Sequence, residues 1–114
     1  MPDTKDMLSE LKLSALRILQ EGKTIPPEIK EQLQKTADQF DDAAKQNSTY
    51  NMQLHVSTLN ELLLNVKDLK SSDKTQLLDY MNKLSGVLDA TYSELRQNVQ
   101  QVKEHLQAPS QYKP

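Results

Sequence analysis

The sequence predicts an all-α protein, an antiparallel bundle of four helices whose last helix is long. Apolar residues recur at helical spacing in four segments of the chain. Glycine and proline are scarce, with 2 and 5 residues, and all but Gly86 lie outside those segments or at the start of one. Leu, Ile, Val and Phe make up 27 of the 114 residues, which is above the level typical of disordered chains. One domain over residues 1–107 and a flexible tail over 108–114 are therefore expected.

The first two helices are predicted over about residues 3–20 and 26–46. Gly22 follows the last periodic residue of the first segment, where a helix commonly stops. The dipeptide Pro26-Pro27 then supplies the backbone angle that suits the first turn of a helix. The first helix is expected to turn one face to the core, formed by Leu8, Leu11, Ala15, Ile18 and Leu19.

The third helix, predicted over about residues 49–70, is expected to be the central one. Between Tyr50 and Val66 it carries a single formal charge, Glu61, and several leucines lie off its main apolar face. A helix that is apolar on several sides is usually surrounded by others. Its main face is formed by Met52, Val56, Leu59, Leu63 and Val66.

The fourth helix is predicted to run from about 72 to 107, through Gly86. The apolar residues on both sides of this glycine share one helical phase within an arc of about 80°, which two helices separated by a turn have no reason to do. A bend or break at Gly86 is the alternative. The second half carries a two-heptad apolar stripe that a coiled coil or a bundle would bury: Tyr92, Leu95, Val99, Val102 and Leu106.

The composition excludes several kinds of chemistry. The chain has no cysteine, so it forms no disulfide, thiolate metal site or cysteine nucleophile, and its formal net charge is only −2. That charge is spread evenly, which disfavours binding to nucleic acid. His55 and His105 lack the carboxylate spacing of metal motifs, and the acidic residues from Asp38 to Asp42 fit a solvated face. No catalytic, cofactor-binding or metal-binding residue is predicted.

Two families share features with the sequence. The stretch "GKTIPPEIKEQLQKTADQFDDAA" with the later "NVKDL" resembles part of the helical C-terminal domain shared by the COPII outer-coat subunit and the steroid receptor RNA activator protein. The resemblance covers less than half of the chain, lacks the expected tryptophan, and assigns the family's positions to Pro27, Phe40, Ala43, Val66, Lys67 and Leu69.

Small secreted helical proteins of the WXG type are similar in length and also lack cysteine. Their Trp-x-Gly turn corresponds to Leu84-Ser85-Gly86, where the tryptophan is missing and the glycine comes late in the chain. This resemblance implies a hairpin turn at Gly86, which the shared helical phase opposes.

The sequence thus favours a non-catalytic protein-interaction module, such as an adaptor, chaperone or assembly subunit. The surface predicted to bind a protein partner or a second copy is the stripe from Tyr92 to Leu106. The alternatives are a secretion-associated helical effector or chaperone, a domain of the COPII type and, least favoured, a metal-binding or catalytic bundle. The chain shows no signal peptide and no run that could insert into a membrane, so a cytoplasmic location is expected, with leaderless export as the alternative.

Overall fold

A computed structural model describes residues 3–46 and 49–107, and within them the chain is all helical. It contains five α-helices where four were predicted. They are α1 (Thr4–Glu21), α2 (Pro27–Gln46), α3 (Thr49–Asn65), α4 (Ser71–Thr91) and α5 (Arg96–Gln107), with a 3-10 turn over Ser93–Leu95 between the last two. The predicted all-α class is confirmed. The tail expected over 108–114 lies outside the described residues.

The helices enclose one apolar core. Helix α1 packs against α2 and α4, α2 packs against α3, and α5 packs against both α3 and α4. Helix α4 contributes seven buried residues, including Tyr80, whose hydroxyl donates to the Leu33 carbonyl oxygen of α2 at 2.6 Å. Helix α3 lies between α2 and α5 and leaves Tyr50 and Leu54 exposed. The prediction of α3 as the central helix is therefore wrong, because some apolar side chains off its main face are exposed to solvent and not packed against another helix.

The predicted stop of α1 at Gly22 is confirmed. The helix ends at Glu21, and the Gly22 amide donates to the Ile18 carbonyl oxygen at 2.8 Å. A Cβ atom at position 22 would lie only 2.7 Å from that same oxygen. The closeness of the preceding helical turn, rather than a left-handed conformation, is therefore what favours glycine here.

Helix α3 ends at Asn65, five residues earlier than predicted. The next residues leave the helical path, and Asp68 has a φ of 62°, in the left-handed region. Val66 and Leu69 still pack against the core from this connection. The apolar pattern therefore continues past the helix end. A prediction from spacing alone places that end too late for this reason.

The chain passes through Gly86 as a helix but breaks at Tyr92. Tyr92 has φ −126° and ψ 66°, which ends α4, and no glycine or proline marks the place. Ser85 and Lys103 line the same surface groove, although an uninterrupted helix would hold them about 27 Å apart. Helix α5 therefore folds back beside α4, and the Arg96 guanidinium lies 3.3 Å from the Asp89 carboxylate.

The prediction of one continuous helix over 72–107 is thus wrong beyond Thr91. A shared helical phase does not separate a long helix from a hairpin whose two arms both bury the same kind of stripe. Folding back covers four aliphatic side chains, each worth about 1.5–3 kcal/mol on full burial. That gain outweighs the few helical hydrogen bonds lost at the break, each worth about 1 kcal/mol.

A buried carboxylate joins the α1–α2 connection to the start of α4. Asp73 accepts hydrogen bonds from the Lys23 amide at 3.1 Å, the Thr24 amide at 2.6 Å and the Thr24 hydroxyl. The same hydroxyl oxygen accepts from the Lys70 amide at 2.9 Å. Burial acts to raise the pKa of Asp73, but these hydrogen bonds and the charge of Lys70 lower the pKa overall. We call this arrangement the Asp73 clamp.

Candidate interaction surface

The stripe predicted to bind a partner lies in the protein's own core. Leu95, Val99, Val102 and Leu106 are at most 5 % exposed, and they belong to the same apolar cluster as the buried residues of α1 to α4. Tyr92 is half-buried, and its ring centre lies 6.3 Å from that of Phe40 on α2. A partner-binding role for this stripe stays a prediction, and it would require α5 to leave the rest of the fold.

A polar contact also fixes α5 on its neighbour. Asn60 of α3 is buried, and its Nδ2 donates to the Asn98 carbonyl oxygen at 2.5 Å. Its Oδ1 is buried without a hydrogen-bond partner among the described residues. If α5 slid along α3, the buried Asn60 amide would lose this hydrogen bond. That loss costs free energy, so the contact disfavours sliding.

The exposed apolar surface lies instead on α1. Leu13, Leu16 and Leu19 are 59 %, 42 % and 43 % exposed, and they follow one another at three-residue spacing. Leu11, Ala15 and Ile18 are buried on the opposite side of the same helix. Leu19 was expected in the core, and this expectation is wrong because its position on the wheel lies at the edge of the buried face.

The residues around these leucines are polar and solvent-exposed. Seven exposed positions line the middle of the outward side of α1, namely Asp6, Ser9, Glu10, Leu13, Leu16, Arg17 and Gln20, and Thr4, Lys5 and Glu21 near the helix ends are exposed as well. Neither Glu10 nor Arg17 forms an ion pair within the described part of the chain. Lys12, at the edge of the face, is paired with Asp41 of α2. We call these seven positions, together with Leu19, the α1 face.

In the sequence, the α1 face was detectable only as a surplus of leucines. Helix α1 carries leucines on more sides than one buried stripe needs, and Leu13 and Leu16 fall outside the predicted core positions. The periodicity does not say whether a second set of leucines is covered by another helix of the fold. The tertiary structure leaves it uncovered.

A second pair of exposed apolar side chains, Tyr50 and Leu54, lies in the first turns of α3. It directly follows residues 47–48, which are outside the described chain. The α1 face is the better-defined surface, because α1 is described over its whole length together with its neighbours α2 and α4.

The two histidines of the chain lie on different helices, His55 on α3 and His105 on α5. His55 lies at the edge of the core, where Gln32 Nε2 is 3.3 Å from its Nδ1 and donates to its carbonyl oxygen. Partial burial and the charge of Lys35 lower the pKa of His55. His105 is exposed in the last turn of α5. Among the described residues, no three His, Cys, Asp or Glu side chains are grouped as metal ligation requires.

The protein has no membrane-spanning candidate in the described chain, because none of its helices there combines the length and apolarity needed to cross a bilayer. Comparison with protein-family models, with curated proteins and with solved structures finds no match for this chain. The α1 face is therefore interpreted from its own geometry and chemistry.

Proposed function

We propose that this protein is a non-catalytic protein-interaction module, an adaptor, chaperone or assembly subunit, that docks its partner on the α1 face. One observation carries the proposal: three leucines, each more than two-fifths exposed, lie together on the outer side of a helix whose opposite side is fully buried. Scattered exposed leucines are ordinary, but a row of them framed by polar residues is typical of docking surfaces.

The gain from covering this row sets the strength expected of the contact. Full burial of a leucine side chain is worth about 1.5–3 kcal/mol, so covering the exposed half of each is worth about 1 kcal/mol. Three such side chains support recognition together with the polar rim but not a permanent complex. The spacing suits a partner helix or an apolar groove that receives successive helical turns.

The proposed interaction surface therefore lies on α1, whereas the sequence predicted it on the stripe from Tyr92 to Leu106. While α5 is docked, the stripe from Tyr92 to Leu106 presents little accessible surface to a partner, because its aliphatic side chains are almost completely covered. The α1 face needs no conformational change to become available. A partner that bound the α5 stripe would first have to supply the free energy of detaching α5.

The test replaces the two most central leucines of the face. Leu13→Gln with Leu16→Gln removes the apolar row but keeps good helix formers, and Leu54→Gln makes the same change at a comparably exposed leucine on α3. Immobilised wild type and variants are exposed to an extract of the source cells, and captured proteins are quantified by mass spectrometry. Each candidate partner is then purified and titrated by calorimetry.

We expect a purified partner to bind wild type and the Leu54→Gln control alike. The α1 double variant should bind at least about tenfold more weakly, which corresponds to about 1.4 kcal/mol. Circular dichroism should show the same helicity for all three proteins. Equal affinity of wild type and the double variant for every partner would refute the α1 face as the docking surface.

A further inference from the structure

We infer that two copies of this chain can exchange α5, so that α4 and α5 of each copy join into one long helix and each α5 packs on α3 and α4 of the other copy. This exchange is independent of the proposed function, because it does not involve the α1 face. In the connection between α4 and α5, Tyr92 is the only residue outside helical structure. Exchange of an identical element is a low-cost route to a dimer, because the contacts within one chain are re-formed between two.

The break between the two helices consists of little more than Tyr92. Helix α4 ends at Thr91, and the 3-10 turn over Ser93–Leu95 leads directly into α5. Tyr92 has φ −126° and ψ 66°, whereas Arg96 already has α-helical angles of −58° and −38°. Rotation about the two backbone bonds of Tyr92, with a small adjustment of the 3-10 turn, would therefore join α4 to α5.

The local sequence is compatible with the joined helix. From residue 87 to residue 107 the chain has no glycine or proline that would stop a helix. The Leu95 amide donates to the Tyr92 carbonyl oxygen at 2.8 Å, three residues back, where a continuous helix would form a four-residue hydrogen bond. The break is therefore maintained by the packing of α5 and not by the residues at the break.

The apolar residues of the two helices form one unbroken seam. Starting on α4, nine positions follow one another at steps of four or three residues, and eight of them are buried. In a joined helix this spacing keeps all nine on one face. Two such helices, antiparallel about a two-fold axis near residue 92, place the α5 half of each opposite α4 of the other, as in the single chain. The nine positions are Leu77, Met81, Leu84, Leu88, Tyr92, Leu95, Val99, Val102 and Leu106.

The site that α5 leaves determines what refills it. In the single chain Val99 and Val102 of α5 are fully buried, and α5 packs on α3 and α4. The buried Asn60 amide of α3 donates to the Asn98 carbonyl oxygen of α5 at 2.5 Å. A vacated site thus combines an apolar groove with one buried donor that fits α5, and α5 of a second copy restores every one of these contacts. For a short connection the effective concentration of α5 at its own site is in the millimolar range, so exchange competes at similar protein concentrations.

The test refolds the protein from urea at about 1 μM and at about 1 mM, because high concentration favours exchange. Masses are measured by light scattering after separation by size. The state of α5 is read from the distance between two spin labels on one chain, attached through Ser85→Cys and Lys103→Cys. The chain has no cysteine of its own, so the labels attach nowhere else. Labelled chain is refolded with an excess of unlabelled chain, so that the measured distances lie within one chain.

We expect a dimer at the higher concentration in which the two labelled positions are about 27 Å apart, because 18 residues of continuous helix separate them. In the monomer Ser85 and Lys103 line one groove between packed helices, whose axes are about 8–10 Å apart. The distance within one chain should therefore increase about twofold or more on dimerisation. A dimer formed through any other surface leaves this distance unchanged.

Two substitutions at Ser93 separate the two forms. Tyr92 already lies outside the α region, which a following proline disfavours, so Ser93→Pro fits the single chain but interrupts a continuous helix. We expect Ser93→Pro to weaken dimerisation at least about hundredfold. Ser93→Ala permits both forms and should dimerise at least as well as wild type. Ser71→Pro places the same residue in the first turn of α4, after an extended Lys70, and should leave dimerisation unchanged.

A wild type that stays monomeric after refolding at about 1 mM overturns the inference. So does a dimer whose distance within one chain equals that of the monomer, or a folded Ser93→Pro variant that dimerises as well as wild type. If Ser93→Pro does not fold, the distance in the wild-type dimer decides alone. The proposed function fails or stands separately, because Leu13→Gln with Leu16→Gln does not touch the connection and should leave the exchange unchanged.

Discussion

The Asp73 clamp provides a sharp test of how the helices are joined. Asp73 is 1 % exposed and accepts three hydrogen bonds from the connection between α1 and α2. A hydrogen bond to a charged acceptor contributes about 1.5–3 kcal/mol, but the three share one carboxylate and are not additive. Lys23 is exposed, so its amide can bind water in the variant, whereas Thr24 is half-buried. We expect Asp73→Ala to lower the free energy of unfolding by about 3 kcal/mol.

The chain supplies a matched control for this variant. Asp6 is the third residue of α1, as Asp73 is of α4, so both carboxylates interact with a helix N-terminus. Asp6 is exposed and forms no contact between helices in the described chain. We therefore expect Asp6→Ala to lower the free energy of unfolding by at most about 1 kcal/mol. Both are measured by urea unfolding at low protein concentration. Equal losses in the two variants would refute the clamp as a link between helices.

The clamp also has a defined pH dependence. The pKa of Asp73 is lower in the folded protein than in the unfolded chain, so its carboxylate contributes stability above the unfolded value of about 3.9. That contribution is lost as the pH falls through the folded pKa. Asp73→Asn should therefore lower stability at neutral pH and flatten the decline of stability below about pH 4. An unchanged acid limb in this variant would contradict the clamp.

Three further outcomes are expected from unfolding measurements. Gly86→Ala should raise the free energy of unfolding by up to about 1 kcal/mol, because position 86 is helical and a new Cβ meets only the flexible end of Met7, at 3.2 Å; a loss would argue for strain there. The double variant Leu95→Asp, Val102→Asp should lose the helical circular dichroism signal, because it places two carboxylates in the core. A variant that stayed folded would support α5 as the partner surface. The pKa of His55 is lowered on folding, so stability should decrease as the pH falls below about 6.5, and His55→Gln should remove that slope in a pH series of urea titrations.

The helix starts and stops that have a local cause could be predicted from the sequence. The end of α1 at Gly22 and the start of α2 at Pro27 follow from backbone properties of those residues, and α4 begins within one residue of the predicted position. The end of α3 had no such marker, because Asp68 adopts its left-handed conformation without being a glycine. Tyr92 ends α4 in the same unmarked way.

A surplus of apolar helical surface could be predicted from the sequence, but its place could not. The sequence indicated that this chain carries more apolar helical surface than a simple bundle needs, and the stripe from Tyr92 to Leu106 was the surplus that the continuous helix left uncovered. Once the chain folds back at Tyr92, α3 and α4 cover that stripe. The uncovered leucines are then Leu13, Leu16 and Leu19, on a helix whose predicted core residues Leu11, Ala15 and Ile18 are buried.

The sequence by itself determined the all-α class, the positions of the first helix boundaries and the continuity of the helix through Gly86. These depend on interactions between residues a few positions apart, where spacing and backbone preference decide. Only the tertiary structure decided the break at Tyr92 and which leucines remain in water. Both outcomes depend on which helices lie side by side, and a shared helical phase fits a long helix and a hairpin equally well.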